Sequence, residues 1–363
     1  MNATRTIRFL LAALLAGGLC FGAVASAPAA DYEMKLAHSN PEKDYSHLHS
    51  PLVVFKNEVE RRTGGHVKVS IYPNGTLGTQ KAMLEQLTRG VIQAVSISEG
   101  GLAPFYPDIA VLSIPYLFKE PDIAYEVLDG PLGDWLKEDM AKKAGIRPLA
   151  WGEDGGFRHF TDSKRMIKSP ADMRGMKIRT MPVPAHLEMV KALGASPTPV
   201  SWSELYTALQ TAVADGQENP IANIRIARLD EVQKYLTLDG HLYSVVAIFV
   251  NEKWFQSLPS EYRQDILRSG RIAAQVTRYL SRVNESIDLA YLRSKGMQVY
   301  APTAEEKARF QAATREPVLR VLKESVDPAL VDRVLEEIQS RQGLRYAPQQ
   351  RQAVELAATR QVM

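Results

Sequence analysis

Cysteine is almost missing from this 363-residue chain: the only one, Cys20, lies in the first thirty residues. Leu19 precedes it, where a bacterial lipidation site calls for a small residue. Past that segment no thiol can serve as nucleophile or metal ligand, and no disulfide can form. Stability must then come from hydrophobic cores, and the roughly 333 residues after position 30 suffice for two domains. An excess of one charge is also lacking. Removing residues 1–30 takes away two arginines and no acid, leaving 42 bases against 41 acids. Nucleic-acid binding needs clustered positive charge, so such a partner is not expected.

Catalytic signatures are missing too. There is no phosphate-cradling glycine loop, no G-x-S-x-G elbow and no H-E-x-x-H pair. His38, His47 and His49 crowd together, but a closed transition-metal site needs more ligands. We read them as a solvated helix start and expect neither metal nor cofactor. After residue 30 no stretch is apolar enough to cross a bilayer.

What is present begins with a leader. Arg5 and Arg8 precede an apolar run from Phe9 to about Val24, and small residues fill Ala25 to Ala30. This is the layout of a secretory signal peptide, ending at Ala27 or Ala30. The run is shorter than the roughly 20 residues of a spanning helix. The chain then alternates short strands with amphipathic helices. Val67, Val69 and Ile71 alternate with polar neighbours, predicting a strand that Pro73, Asn74 and Gly75 end. Gln80 to Arg89 predicts a helix, and Ala94 to Ser98 the next strand. Met176 to Thr180 and Tyr243 to Val250 read as strands, and His186 to Leu193 as a helix. Ser201 and Glu204 have capping-box spacing for a helix running to about Ala214. This rhythm predicts an α/β fold with a largely parallel sheet. From Ser260 to Lys295 there is no proline, and apolar residues recur at helical spacing. A helix of that length would reach about 50 Å and span two domains.

The chemistry concentrates between Gly155 and Pro220. Alternation puts Lys177 and Arg179 on one face of a strand and Ile178 on the other. An arginine at a strand end beside a cleft can hold a carboxylate through two parallel hydrogen bonds. Arg158 is the second arginine of this region.

Four blocks in this order resemble the solute-binding subunits of tripartite ATP-independent periplasmic (TRAP) transporters, the DctP-like family. They are YPNGTLGTQKAMLEQLTRG (72–90), GGFRHFTDSKRMIKSPADMRGMKIRT (155–180), LGASPTPVSWSELYTALQTAVADGQENP (193–220) and EVQKYLTLDGH (231–241). The resemblance implies a periplasmic binding protein fold of two α/β domains around a ligand cleft, with crossing strands and a long domain-spanning helix. It divides the chain into a signal peptide (1–30), domain I (31–155 plus 243–283) and domain II (156–242 plus 284–363).

It also implies roles. Arg179 matches the arginine that binds the ligand carboxylate, Arg158 a second basic residue that helps it, and Asn219 an asparagine at the same end. Trp202 stands where an aromatic ring meets the ligand; as a residue, it reads equally well as core. Glu99 matches a first-domain position that meets ligand hydroxyls, and Ser39 and Gln80 fall near others. If Glu99 were ionised in the cleft, a hydroxylated monocarboxylate would be preferred to a plain C4-dicarboxylate. A 2-oxoacid-binding branch has tryptophan after the acidic residue, where this chain has Glu218-Asn219; a directly bound carboxylate is therefore implied. The resemblance implies a non-enzymatic, monomeric periplasmic protein. It would bind a small organic acid anion, a sugar acid or C4-dicarboxylate, and deliver it to the membrane subunits. A periplasmic lyase or isomerase acting on such acids, and a sensing subunit of a membrane receptor, remain alternatives.

Overall fold

A computed structural model describes residues 30–343, so the leader and most of the tail from Gln342 lie outside the described residues. Nine strands form one mixed sheet. In chain order they are β1 (Tyr32–Ala37), β2 (Val67–Tyr72), β3 (Ala94–Ser98), β4 (Ile146–Asp162), β5 (Lys177–Thr180), β6 (Ser196–Pro199), β7 (Gly216–Pro220), β8 (Tyr235–Asn251) and β9 (Gln298–Tyr300). The spatial order is β2-β1-β3-β8-β4-β7-β5-β6, with β9 beside β8. The outer pairs are parallel, as the βαβ rhythm predicts, whereas β3–β8, β4–β8 and β4–β7 are antiparallel.

The two central strands make the architecture. β4 and β8 are each 17 residues long, about 55 Å at the usual rise, too long for one small lobe. β3 pairs with Val246–Val250 at one end of β8, and β7 with Arg158–Asp162 at the far end of β4. The sheet therefore carries two lobes on one shared antiparallel ribbon. The ribbon's register breaks between Glu153 and Gly156, where Gly155 (φ 75°) and Gly156 (φ 87°) both adopt left-handed backbone. Side chains rarely tolerate that conformation, so paired glycines fit a bulge there. Sequence reading recovered only Tyr243–Val250 of β8 and none of β4. A strand that passes from one lobe to the other changes its neighbours midway and carries no single alternation.

The long helix runs Ser260–Ser294, 35 residues without a break. Gly270 is not a kink. A Cβ there would sit 2.6 Å from Leu149 Cβ, so glycine lets the helix lie close on β4. Farther along, Thr277 Oγ1 accepts the Glu153 N–H (2.9 Å), and Ser281 Oγ accepts the Gly155 N–H (3.2 Å). The helix thus satisfies backbone donors that the bulge withdraws from the sheet.

One helix boundary differs from expectation. The helix predicted to reach Ala214 stops at Gln210, and a 3-10 turn, Trp202–Glu204, precedes it. Ala212 then turns the chain with φ 57° toward β7. The hydrophobic interior draws on residues far apart in the chain. One cluster runs from Met83 and Ile97 through Leu112 and Leu117 to Met189 and Val318.

Candidate functional site

A cavity lies against the ribbon where the lobes meet. Gln80, Ser96 and Ser98 line it from the first lobe, and Arg158, Arg179 and Asn219 from the second. Met181, Trp202, Asp154, Asn223 and Leu48 also line it. Ser98 Oγ stands 3.9 Å from Met181 Sδ, so the lobes approach closely over this space.

Arg179 projects from β5 and is 2% exposed. Its Nε donates to Val200 O at 2.9 Å, which fixes the direction of the guanidinium. Among the described residues no carboxylate pairs with it, and its Nη groups have no protein acceptor. Burial and the nearby Arg158 cation, offset in part by Glu218, pull Arg179 down to about 10. It remains cationic at neutral pH. An arginine this buried should have a partner anion; here the protein supplies none.

Arg158 is different. Its Nε donates to Glu218 Oε2 at 2.5 Å, and Nη2 reaches Glu218 O (2.8 Å) and Asn219 Oδ1 (3.1 Å). Nη1 donates to Ser244 Oγ at 3.2 Å. Glu218 is fully buried and also accepts from Thr180 Oγ1 at 2.8 Å. Burial opposes its charge, yet Arg158, His186 and His241 hold it well below the usual carboxylate range. Burial lowers His241, but Asp239 (2.7 Å) and Glu218 (3.4 Å) outweigh that and raise it to about 9. Arg158 is thus neutralised by a buried network, and its remaining role in the cavity is that of a hydrogen-bond donor. Glu218 was not singled out from the sequence. The available signal was the buried arginine itself, since Glu218 stands on the strand beside it.

The other predicted residues divide. Asn219 and Trp202 line the cavity; Trp202 is also packed against Leu205 and its neighbours, so one ring serves both readings. Gln80 lines it and donates to Ser39 Oγ at 3.3 Å, which leaves Ser39 behind Gln80. Glu99 does not reach it. The residue is 2% exposed, and its Oε2 accepts the Val245 N–H at 2.9 Å. Burial, with Asp154 adding and Arg158 opposing, pushes Glu99 up to about 8, so it is neutral at pH 7 rather than ionised in the cleft.

This gives a pH signature. The fold holds the neutral acid, so the contribution of Glu99 is complete below its unfolded value of about 4.3 and is lost as pH rises through about 8. Glu99→Gln keeps the acceptor and removes the titration. Melting curves should show the variant more stable than the parent at pH 8, with the gap closing below pH 5 and ligand affinity unchanged. Identical pH profiles would contradict the assignment.

The histidines also differ from expectation. His38, His47 and His49 are buried, not solvated. His38 Nε2 and His49 Nδ1 share a hydrogen bond (3.1 Å), and His47 Nε2 faces Asp154 Oδ1 (3.4 Å). The segment before helix Ser50–Arg62 is tucked beneath the cavity, so its polar rings pair with each other and with Asp154. Among the described residues no group of three or more His, Cys, Asp or Glu could hold a metal ion.

The chain is similar to known proteins in sequence and in fold. The family described as "Bacterial extracellular solute-binding protein, family 7" (DctP) matches residues 36–325. A solute-binding protein of Verminephrobacter eiseniae is 40% identical over 268 residues, covering 74% of this chain and 79% of its own. The 2,3-diketo-L-gulonate-binding periplasmic protein of Escherichia coli is 31% identical, covering 81% and 88%. The crystal structure of a TRAP periplasmic solute-binding protein from Roseobacter denitrificans, with bound L-galactonate, superposes with TM-score 0.77 at 32% identity over 84% of this chain and 99% of that one. With two lobes, a cavity between them and a buried cation facing it, this chain belongs to the DctP family, the solute-binding component of TRAP transport.

Proposed function

We propose that this chain captures one small organic acid anion of the sugar-acid type, its carboxylate on Arg179, and delivers it to the membrane subunits of a TRAP transporter. The observation that carries the reading is the Arg179 guanidinium, buried at a cavity wall and aimed by Val200 O, with no protein anion. The relatives add the ligand class, since the names of two of them specify diketogulonate and L-galactonate.

Energetics require more than the arginine. A charge-assisted hydrogen bond contributes about 1.5–3 kcal/mol, whereas a micromolar dissociation constant needs about 8 kcal/mol. Asn219 and Arg158 line the same cavity, Trp202 offers a ring face, and Gln80 reaches from the opposite lobe. Capture then couples to closure of two bodies, 31–155 plus 243–283 and 156–242 plus 284–363, hinged at the Gly155–Gly156 bulge. Export through residues 1–30 puts the protein in the periplasm. It acts as a monomer and returns its ligand unchanged.

Titrating the purified protein with galactonate should give one site per chain and full recovery of the acid. Scattering at saturation should show a smaller radius of gyration than without ligand. Conversion of the acid into another product, or no binding of any hydroxylated carboxylate, would overturn the proposal.

A further inference from the structure

The same cavity that Arg179 lines also carries a group of opposite character. Asp154, on β4, and Asn223, in helix Ile221–Ile226, both line the cavity and are only 5% and 4% exposed. Asn223 Nδ2 donates to Asp154 Oδ1 at 3.0 Å. An ionised carboxylate only accepts, so this bond fixes the amide and the two ends cannot be exchanged. Asn223 Oδ1 is consequently left buried with no donor. Such an orphaned acceptor is unusual and costly in a finished interior.

Asp154 has donors but no cation fixed to it by two bonds. Ser244 Oγ donates to its Oδ2 at 3.1 Å, and His47 Nε2 lies 3.4 Å from Oδ1. Burial opposes its ionisation, yet His47, Asn223 and Arg158 hold it below the usual aspartate range. Ser244 also accepts from Arg158, so one hydroxyl joins Arg158 to Asp154. The cavity lining thus combines an unpaired cation at Arg179, Arg158 neutralised by Glu218, and acceptors at Asp154 and Asn223.

We propose that Asp154 and Asn223 form an acceptor pole that selects the ligand by its hydrogen-bond donors, so that polyhydroxy monocarboxylates are bound and dicarboxylates are rejected. This rests on the reading that Arg179 anchors a carboxylate in the same cavity. A hydroxyl at the far end of the acid satisfies Asn223 Oδ1, which nothing in the protein does. A second carboxylate placed there offers no donor and faces the Asp154 charge, and like charges juxtaposed in a closed site are strongly unfavourable. Selection by an unpaired acceptor is sharp, because a ligand lacking the donor leaves the orphan buried.

The test uses calorimetry with galactonate and succinate on the mature chain and on three variants. Asp154→Asn keeps the shape and can still accept from Asn223; Asn223→Leu removes the orphan. The parent should bind galactonate at least roughly 100-fold more tightly than succinate. Galactonate affinity should fall roughly 10- to 100-fold in each variant, while succinate should gain in Asp154→Asn. The comparison of the two acids on the parent needs no variant to fold. Equal affinity for both acids, or galactonate affinity within about twofold of the parent in both variants, would overturn the acceptor pole. Arg179→Ala separates the two readings: loss there beside unaltered Asp154→Asn and Asn223→Leu discards only the pole, and normal binding there discards the anchor with it.

Discussion

Replacing Arg179 with alanine should lower affinity for a sugar acid by roughly 100-fold or more, as the loss of a bidentate charge-assisted pair implies. No other group can take over. Arg158 lies nearby, but Glu218 holds its Nε at 2.5 Å and shares its Nη2, so its charge is already balanced. Arg179→Lys should recover only part of the loss. A lysine cannot present two parallel donors, and it lacks the Nε–H that Val200 O uses to aim the side chain. The alanine variant should fold normally and melt no lower than the parent, because it removes a desolvated cation that the protein itself leaves unpaired. Calorimetry and melting curves on the three proteins check this. Alanine with near-parental affinity would contradict the assignment, as would lysine with full affinity.

Glu218→Ala is expected to act on the fold first. It strands Arg158 in a site where that side chain is 1% exposed, and it removes the second of the two carboxylates, after Asp239, that raise His241. Breaking a buried pair from one side costs about 3–5 kcal/mol, which corresponds to a fall in melting temperature of roughly 5–15 °C. The pH dependence gives a second reading. Glu218 has a depressed pKa in the fold, so its contribution is present above the unfolded carboxylate value and is lost as pH falls through the folded one. His241 has a raised pKa, so its contribution is full below about 6.5 and is lost as pH rises through about 9. In Glu218→Gln, which keeps the shape, the acid-side loss should shrink and the alkaline edge should move to lower pH. A variant with the parent's melting temperature and unchanged pH edges would show that Arg158 and His241 are balanced some other way.

The outer strands could be read from the sequence because each sits in one environment. Ala94–Ser98 and Val67–Tyr72 appear with the predicted bounds, and the long helix differs by a single residue. The ribbon could not be read in this way. β4 mixes Trp151, three glycines, Arg158 and Asp162 over residues buried against different lobes, which erases any period. Among site residues, the family's blocks led to Arg158, Arg179 and Asn219, and the structure brings all three to the cavity wall. The partners were hidden. Glu218 is 60 residues from Arg158, and Asp154 is 69 from Asn223, so only the fold reveals that each pair meets. The surroundings of Glu99 were hidden for a related reason. The resemblance placed it among ligand hydroxyls, whereas its Oε2 accepts the N–H of Val245, 146 residues away on the central ribbon.

The most direct measurement is a crystal structure of the mature protein with galactonate. The account predicts both carboxylate oxygens within hydrogen-bond distance of the Arg179 Nη atoms, and a ligand hydroxyl donating to Asn223 Oδ1 or Asp154. A carboxylate seated away from Arg179, or a ligand bound outside the space between the lobes, would contradict it.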